Sequence, residues 1–209
     1  MVTEFDTVLV RSVKTMRCSA DYPGMQRYAN EINARLDGDN SKAASGIHSK
    51  VSYELGMGEQ QQFKACMEQA QQHLQASLRY HELSAKQARD ADDEVGVLIA
   101  EANIYGLLYP RLGKWEEGRN RSERICQRLK EIAEDLETTE EDRGRAQRFV
   151  VNSLFHCIDI TMEFDPTGLT SWRCVEYWLK EAKRNPFYIS QPTLFAAAIE
   201  AAEKFLQQS

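Results

Sequence analysis

An all-α fold of antiparallel helical hairpins is the architecture this sequence predicts, and three observations predict it. Apolar residues recur at helical spacing through almost the whole chain. The five prolines and many of the eleven glycines cluster in short breaks between those stretches. No alternating β-branched run offers a competing strand.

The first stripe is Phe5, Val8, Leu9, Val13 and Met16, and the second is Met25, Tyr28, Ala29, Ile32 and Leu36. SADYPG separates them, with Pro23 placed to open the second helix. LDGDNS follows, where Asp39 or Asn40 can cap a third helix over about 40–55. That helix is expected to close at Leu55-Gly56, with Met57-Gly58 in the turn. A fourth, from near Glu59 to about Ala88, carries Phe63, Cys66, Met67, Ala70, Leu74, Ser77 and Leu78. The fifth carries Val95, Leu98, Ile99, Ala102, Tyr105 and Tyr109. It should stop at or just after Pro110, whose missing amide removes the bond back to Gly106.

The sixth helix bears Trp115, Gly118, Ser122, Ile125, Leu129, Ile132 and Leu136, opposite a charged face read as solvated. Thr138 or Thr139, followed by Glu141 and Asp142, starts the seventh, about 140–163. That helix is apolar on more than one side (Ala146, Phe149, Val150, Val151, Leu154, Phe155, Cys157, Ile158, Ile160), so it should lie between neighbours. The eighth carries Leu169, Trp172, Val175, Leu179 and Ala182. Trp172 belongs to that core stripe, while Tyr177 and Trp178 pack on the last helix or form a binding or dimer surface. NPFYISQP separates it from a final capping helix, about 193–207, with Leu194, Phe195, Ala198, Ile199, Ala202 and Phe205. The expectation is about nine helices in one domain, 1–209.

Composition narrows function. With 42% hydrophobic and 28% charged residues, the chain has the material for a core. A net charge of −6 argues against nucleic acid as the primary ligand. Five widely spaced cysteines without a CxxC read as reduced thiols in a cytoplasmic protein, each a small core residue. The start of the chain lacks a basic leader followed by an apolar run, and no stretch approaches the ~18 apolar residues of a membrane span.

Catalytic and metal chemistry find little support. His73 and His81 are two helical turns apart, too far to share one ion. Ala70 and Ser153 stand where an ExxH motif would need glutamate before His73 and His156. The acidic residues from Glu134 to Asp142 lack the glycine of a calcium loop, and no phosphate-cradling glycine motif is present. The expectation is a non-enzymatic protein without cofactor or metal.

Four breaks look alike: SADYPGMQRYANEI, LGMGEQQQFKACMEQA, RLGKWEEGRNRSERI and FDPTGLTSWRCVEYW. In NIYGLLYPRLGKWEEGRNRSERI, Gly106 takes a small position in a first helix, with Tyr109 one turn later. Leu112-Gly113 makes the turn, Trp115 is the aromatic after it, and Gly118 is the small residue of the second helix. In these positions the chain resembles the tetratricopeptide-repeat (TPR) family, with DYPGMQRYANEI and YELGMGEQQQFKAC as further copies at irregular spacing. The resemblance implies a right-handed α-solenoid whose first helices line a concave groove for a protein or peptide partner. The groove candidates it implies are Lys50, Tyr53, Asn103, Leu107, Arg111, Arg148, Asn152 and His156. Asparagine can clamp a peptide backbone, and arginine or lysine can hold a carboxylate. The function expected is that of an adaptor or regulator. The alternative is a structural subunit of a homo- or hetero-oligomer without a peptide groove.

Overall fold

The computed structural model describes the backbone of residues 4–36, 39, 41–65, 70–166 and 169–208, and their side chains except at 4–9, 63–65, 169 and 170. The side chains of Phe5, Val8, Leu9, Phe63 and Leu169, together with Asn40, Cys66 and Met67, lie outside the described residues. The elements are α1 (Glu4–Cys18), α2 (Tyr22–Arg35), α3 (Lys42–Ala65), α4 (Ala70–Asp90) and α5 (Glu94–Asn103). A π segment (Ile104–Leu108), α6 (Tyr109–Arg111), α7 (Trp115–Glu134), α8 (Glu140–Phe164) and α9 (Leu169–Arg184) follow. The chain closes with α10 (Pro186–Ser190), a 3-10 turn (Pro192–Phe195) and α11 (Ala196–Gln207). Among the described residues there is no strand, and no helix is long and apolar enough to cross a membrane. The chain divides into two compact units, Met1–Glu101 and Ala102–Ser209.

In the first unit, Val13, Met25, Ala29, Ile32, Ile47, Val51 and Leu55 bring α1, α2 and α3 onto one core. The α1–α2 turn places Ala20 at φ 60°, and the Asp21 carboxylate then accepts from the Gly24 amide at 3.0 Å. Pro23 sits in the first turn of α2, as its position predicts. Arg17 reaches across to Glu54 at 2.6 Å, an ion pair with both side chains largely buried.

The break expected at Leu55–Gly58 is not there: α3 runs straight through to Ala65. These glycines serve close packing instead of a turn. A Cβ on Gly56 would lie 2.8 Å from Nε2 of His81, and one on Gly58 would lie 2.5 Å from Cε of Met25. With no side chain on Gly56, α3 and α4 approach along a polar seam. Ser49 and Ser84 each donate to the other's carbonyl at 2.9 Å, and the Ser77 hydroxyl donates to the Gly56 carbonyl at 3.0 Å. Every one of these buried hydroxyls is thereby satisfied. At the other end of α3, Ser41 accepts from the Ala44 amide at 3.2 Å, and Asp39 supports Ser41 instead of capping the helix itself.

In the second unit, α8 is the central helix. It packs against the π segment, α7, α9, α10 and α11, which accounts for apolar residues on several of its sides. The predicted α7 stripe is buried from Gly118 through Ile132. Leu136 is not part of it: α7 ends at Glu134, Asp135 makes an Asx turn, and Leu136 is 88% exposed. Thr139 caps α8 by accepting from the Asp142 amide at 3.1 Å. Thr139→Ala should therefore lower stability by about 1 kcal/mol, read from the denaturant midpoint at unchanged slope.

On α9 the aromatic assignments exchange places. Trp178 is buried, Tyr177 is 55% exposed, and Trp172 is half-buried with its edge toward Phe205. Val175, Leu179 and Ala182 of the predicted stripe are buried, and the neighbours widen that face to Ser171 and Trp178 while Trp172 lies at its margin. The NPFYISQP break is itself helical, forming α10 and the 3-10 turn on which Phe195 stacks against Phe155 at 5.2 Å. Leu194 is 61% exposed instead of packing with the last helix. Cys126 and Cys157 are buried and Cys174 is half-buried, whereas Cys18, the last residue of α1, is exposed.

Candidate functional site

The site begins with Pro110, which the sequence places at or just before a helix end. The helical path stops one residue later, at Arg111, as expected. The Tyr109 amide bonds back to the Ile104 carbonyl, five residues earlier, in a π turn immediately before the proline. A widened turn there relieves the collision of the proline ring with the carbonyl four residues back. The true terminator is Gly113, at φ 77°. Its amide bonds to the Pro110 carbonyl at 3.0 Å and the Lys114 amide to the Tyr109 carbonyl at 2.9 Å, which is a Schellman closure. The Leu112-Gly113 turn is as predicted.

The π segment lies against α8 at Gly106, where a Cβ would come within 2.7 Å of Cβ of His156. Beyond that contact, residues 106–111 and 159–164 line an open cleft of about 330 Å³. The two helical segments therefore advance in the same direction, with α7 packed against both. Leu107, Pro110, Ile160, Met162 and Phe164 give the cleft apolar walls. Arg111 stands at one edge, and Asp159 and Glu163 at the other, all three exposed.

The surroundings fix this arrangement. Phe164 stacks on Trp115 at 6.4 Å with an interplanar angle of 6°, and Arg119 lies 5.4 Å over the Trp115 ring. Arg119 also donates to Asp165 at 3.1 Å, beside the Ser171 hydroxyl at 2.9 Å. The Ser171 bond, then Arg119, holds the Asp165 carboxyl below its ordinary range. Gly118 fits beneath the π segment, where a Cβ would sit 2.6 Å from the Tyr105 carbonyl oxygen.

Of the eight candidates, Leu107 and Arg111 line the cleft, and Arg111 donates to the Leu107 carbonyl at 2.8 Å. His156 does not line the cleft; it packs against Gly106 beside it. Burial, opposed by a smaller effect of a hydrogen bond with the Ala102 backbone, pushes its pKa down to about 4. The ring is therefore neutral near pH 7. Asn103 is buried at 5% exposure, Asn152 is half-buried, and Arg148 is exposed over the Phe149 and Phe187 rings. Lys50 and Tyr53 belong to the first unit. Lys50 is exposed, and Tyr53 packs edge-on to His81 at 5.7 Å. Asp159 and Glu163 were missed by the sequence reading. They continue the stripe of Arg148, Asn152 and His156 by two further steps, and that continuation was the available signal.

Compared with family models, curated proteins and solved structures, the chain finds no match.

Proposed function

We propose that this chain is a non-enzymatic adaptor or regulator of TPR-like kind, cytoplasmic, holding a protein or peptide partner against the first helices of its hairpins. One observation carries the reading. The π segment with α6, and α8, are the first members of two successive hairpins; they run in the same direction and share an open cleft. A solenoid groove is built from such neighbours. The predicted Leu107 and Arg111 both fall on its wall.

The test is quantitative recovery of binding partners by the full chain and by Leu107→Asp plus Arg111→Glu, with circular dichroism to verify the fold. Selected partners should drop at least fivefold in the variant. An identical set at identical recovery would remove this cleft from the function.

A second reading, a subunit of an oligomer, draws on a separate observation. Ile189 and Leu194 are 65% and 61% exposed on the segment before the last helix. Light scattering on the purified chain separates the two, because an obligate subunit does not persist as a monodisperse monomer.

A further inference from the structure

We infer that residues 185–199 form a contact face for a second copy of this chain, giving a reversible two-fold dimer; this rests on the oligomer reading above and names its surface and its occupant. The run holds no acidic or basic residue, the longest such stretch in a chain that is 28% charged. Nine of its fifteen residues are exposed, Ile189 at 65% and Leu194 at 61%. The face is held in place from beneath. Asn185 caps α10 by accepting from the Phe187 amide at 2.8 Å. Phe195 stacks on Phe155 at 5.2 Å, with the Phe187 and Tyr188 rings 6.3 and 6.4 Å from it. Those rings take the inward places, and Ile189 and Leu194 are left to water.

Charge selects the occupant. The chain carries a net charge of −6, so two copies repel in most orientations. In a two-fold contact each residue on the axis meets its own image, and any excess of one sign repels itself. This face avoids that. The charges flanking it along the chain cancel, Glu181, Glu200 and Glu203 against Lys183, Arg184 and Lys204. Two of these pairs are already joined, Lys183 to Glu203 at 2.6 Å and Lys204 to Glu200 at 2.7 Å. Arg148, laid over the Phe187 ring, adds one cation, which draws an acidic chain closer. A foreign partner is told apart by its charge pattern, and the run offers none to read. Its exposed residues are fewer than the roughly 20–30 per side of a standard interface, so the dimer forms and separates with concentration.

Sedimentation velocity on the full chain, from about 5 to about 500 µM, should show the mean mass rising toward twice that of the monomer. Ile189→Asp with Leu194→Asp brings like charges together across the axis and should raise the dissociation constant at least tenfold, with circular dichroism confirming the fold. Leu136→Asp, at a leucine 88% exposed elsewhere, should leave the dimer unchanged. Raising sodium chloride to about 0.5 M should leave it as strong or stronger, because salt screens the repulsion between copies. A dimer that tolerates the double substitution would overturn this face and leave the oligomer reading standing, as would one that salt dissolves. A monomer at every concentration would overturn the inference and confine the oligomer reading to assembly with a different chain.

Discussion

Gly106→Ala should destabilise the Ala102–Ser209 unit by about 2–3 kcal/mol, the cost of forcing a methyl group into a filled site. Helix propensity alone predicts the opposite sign, a gain of up to about 1 kcal/mol. The steric term wins because the obstacle is the root of the neighbouring side chain. A Cβ at Gly106 would lie 2.7 Å from Cβ of His156, which no rotamer change can withdraw. The prediction has an internal control. In a His156→Gly background, which removes that Cβ, the same substitution should cost much less, so a double-mutant cycle should return most of the effect as coupling. Equal destabilisation in both backgrounds would show that the π segment itself, and not the His156 contact, demands glycine.

Acid should weaken the first unit through His81. This ring is fully buried, with Nε2 3.0 Å from the Gln60 amide nitrogen and Nδ1 unpartnered, and burial alone pushes its pKa to about 4. The unfolded chain takes up the proton near pH 6.5, whereas the folded chain resists it until about pH 4. Stability is therefore full above pH 6.5, falls as pH drops through that window, and levels off below it. By linkage the loss amounts to about 2 kcal/mol at pH 5 and about 3 kcal/mol once the window is crossed. Denaturant titrations at pH 7.5, 6 and 5 should show this slope, and His81→Gln should remove most of it. A slope unchanged by the substitution would assign the acid sensitivity to other groups. His156 contributes in the same direction but less, because part of its ring meets water.

Only part of the candidate site was legible. Leu107 and Arg111 were named because the resemblance to TPR units implied them, and of the eight candidates these two line the cleft. Asp159 and Glu163 were not, because a carboxylate on an exposed helix face looks the same in sequence whether it borders a cleft or open solvent. Asn103 shows the converse: a residue chosen for a groove is 5% exposed. Spacing fixes which residues share a face, and the neighbouring helix decides how deep that face lies.

What the residues determined by themselves is the helical fold class, the opening of α2 at Pro23, the Leu112-Gly113 turn, the Thr139 cap and the many-sided burial of α8. All follow from interactions within a few positions along the chain, where period, cap and turn chemistry act directly. Tertiary structure alone decided that Gly56 and Gly58 are packing glycines inside a helix and that Trp178 and not Trp172 is core. The reason is physical. A missing Cβ serves a positive φ and a close helix approach equally well, and the residue that selects between them, such as His81, is distant in sequence.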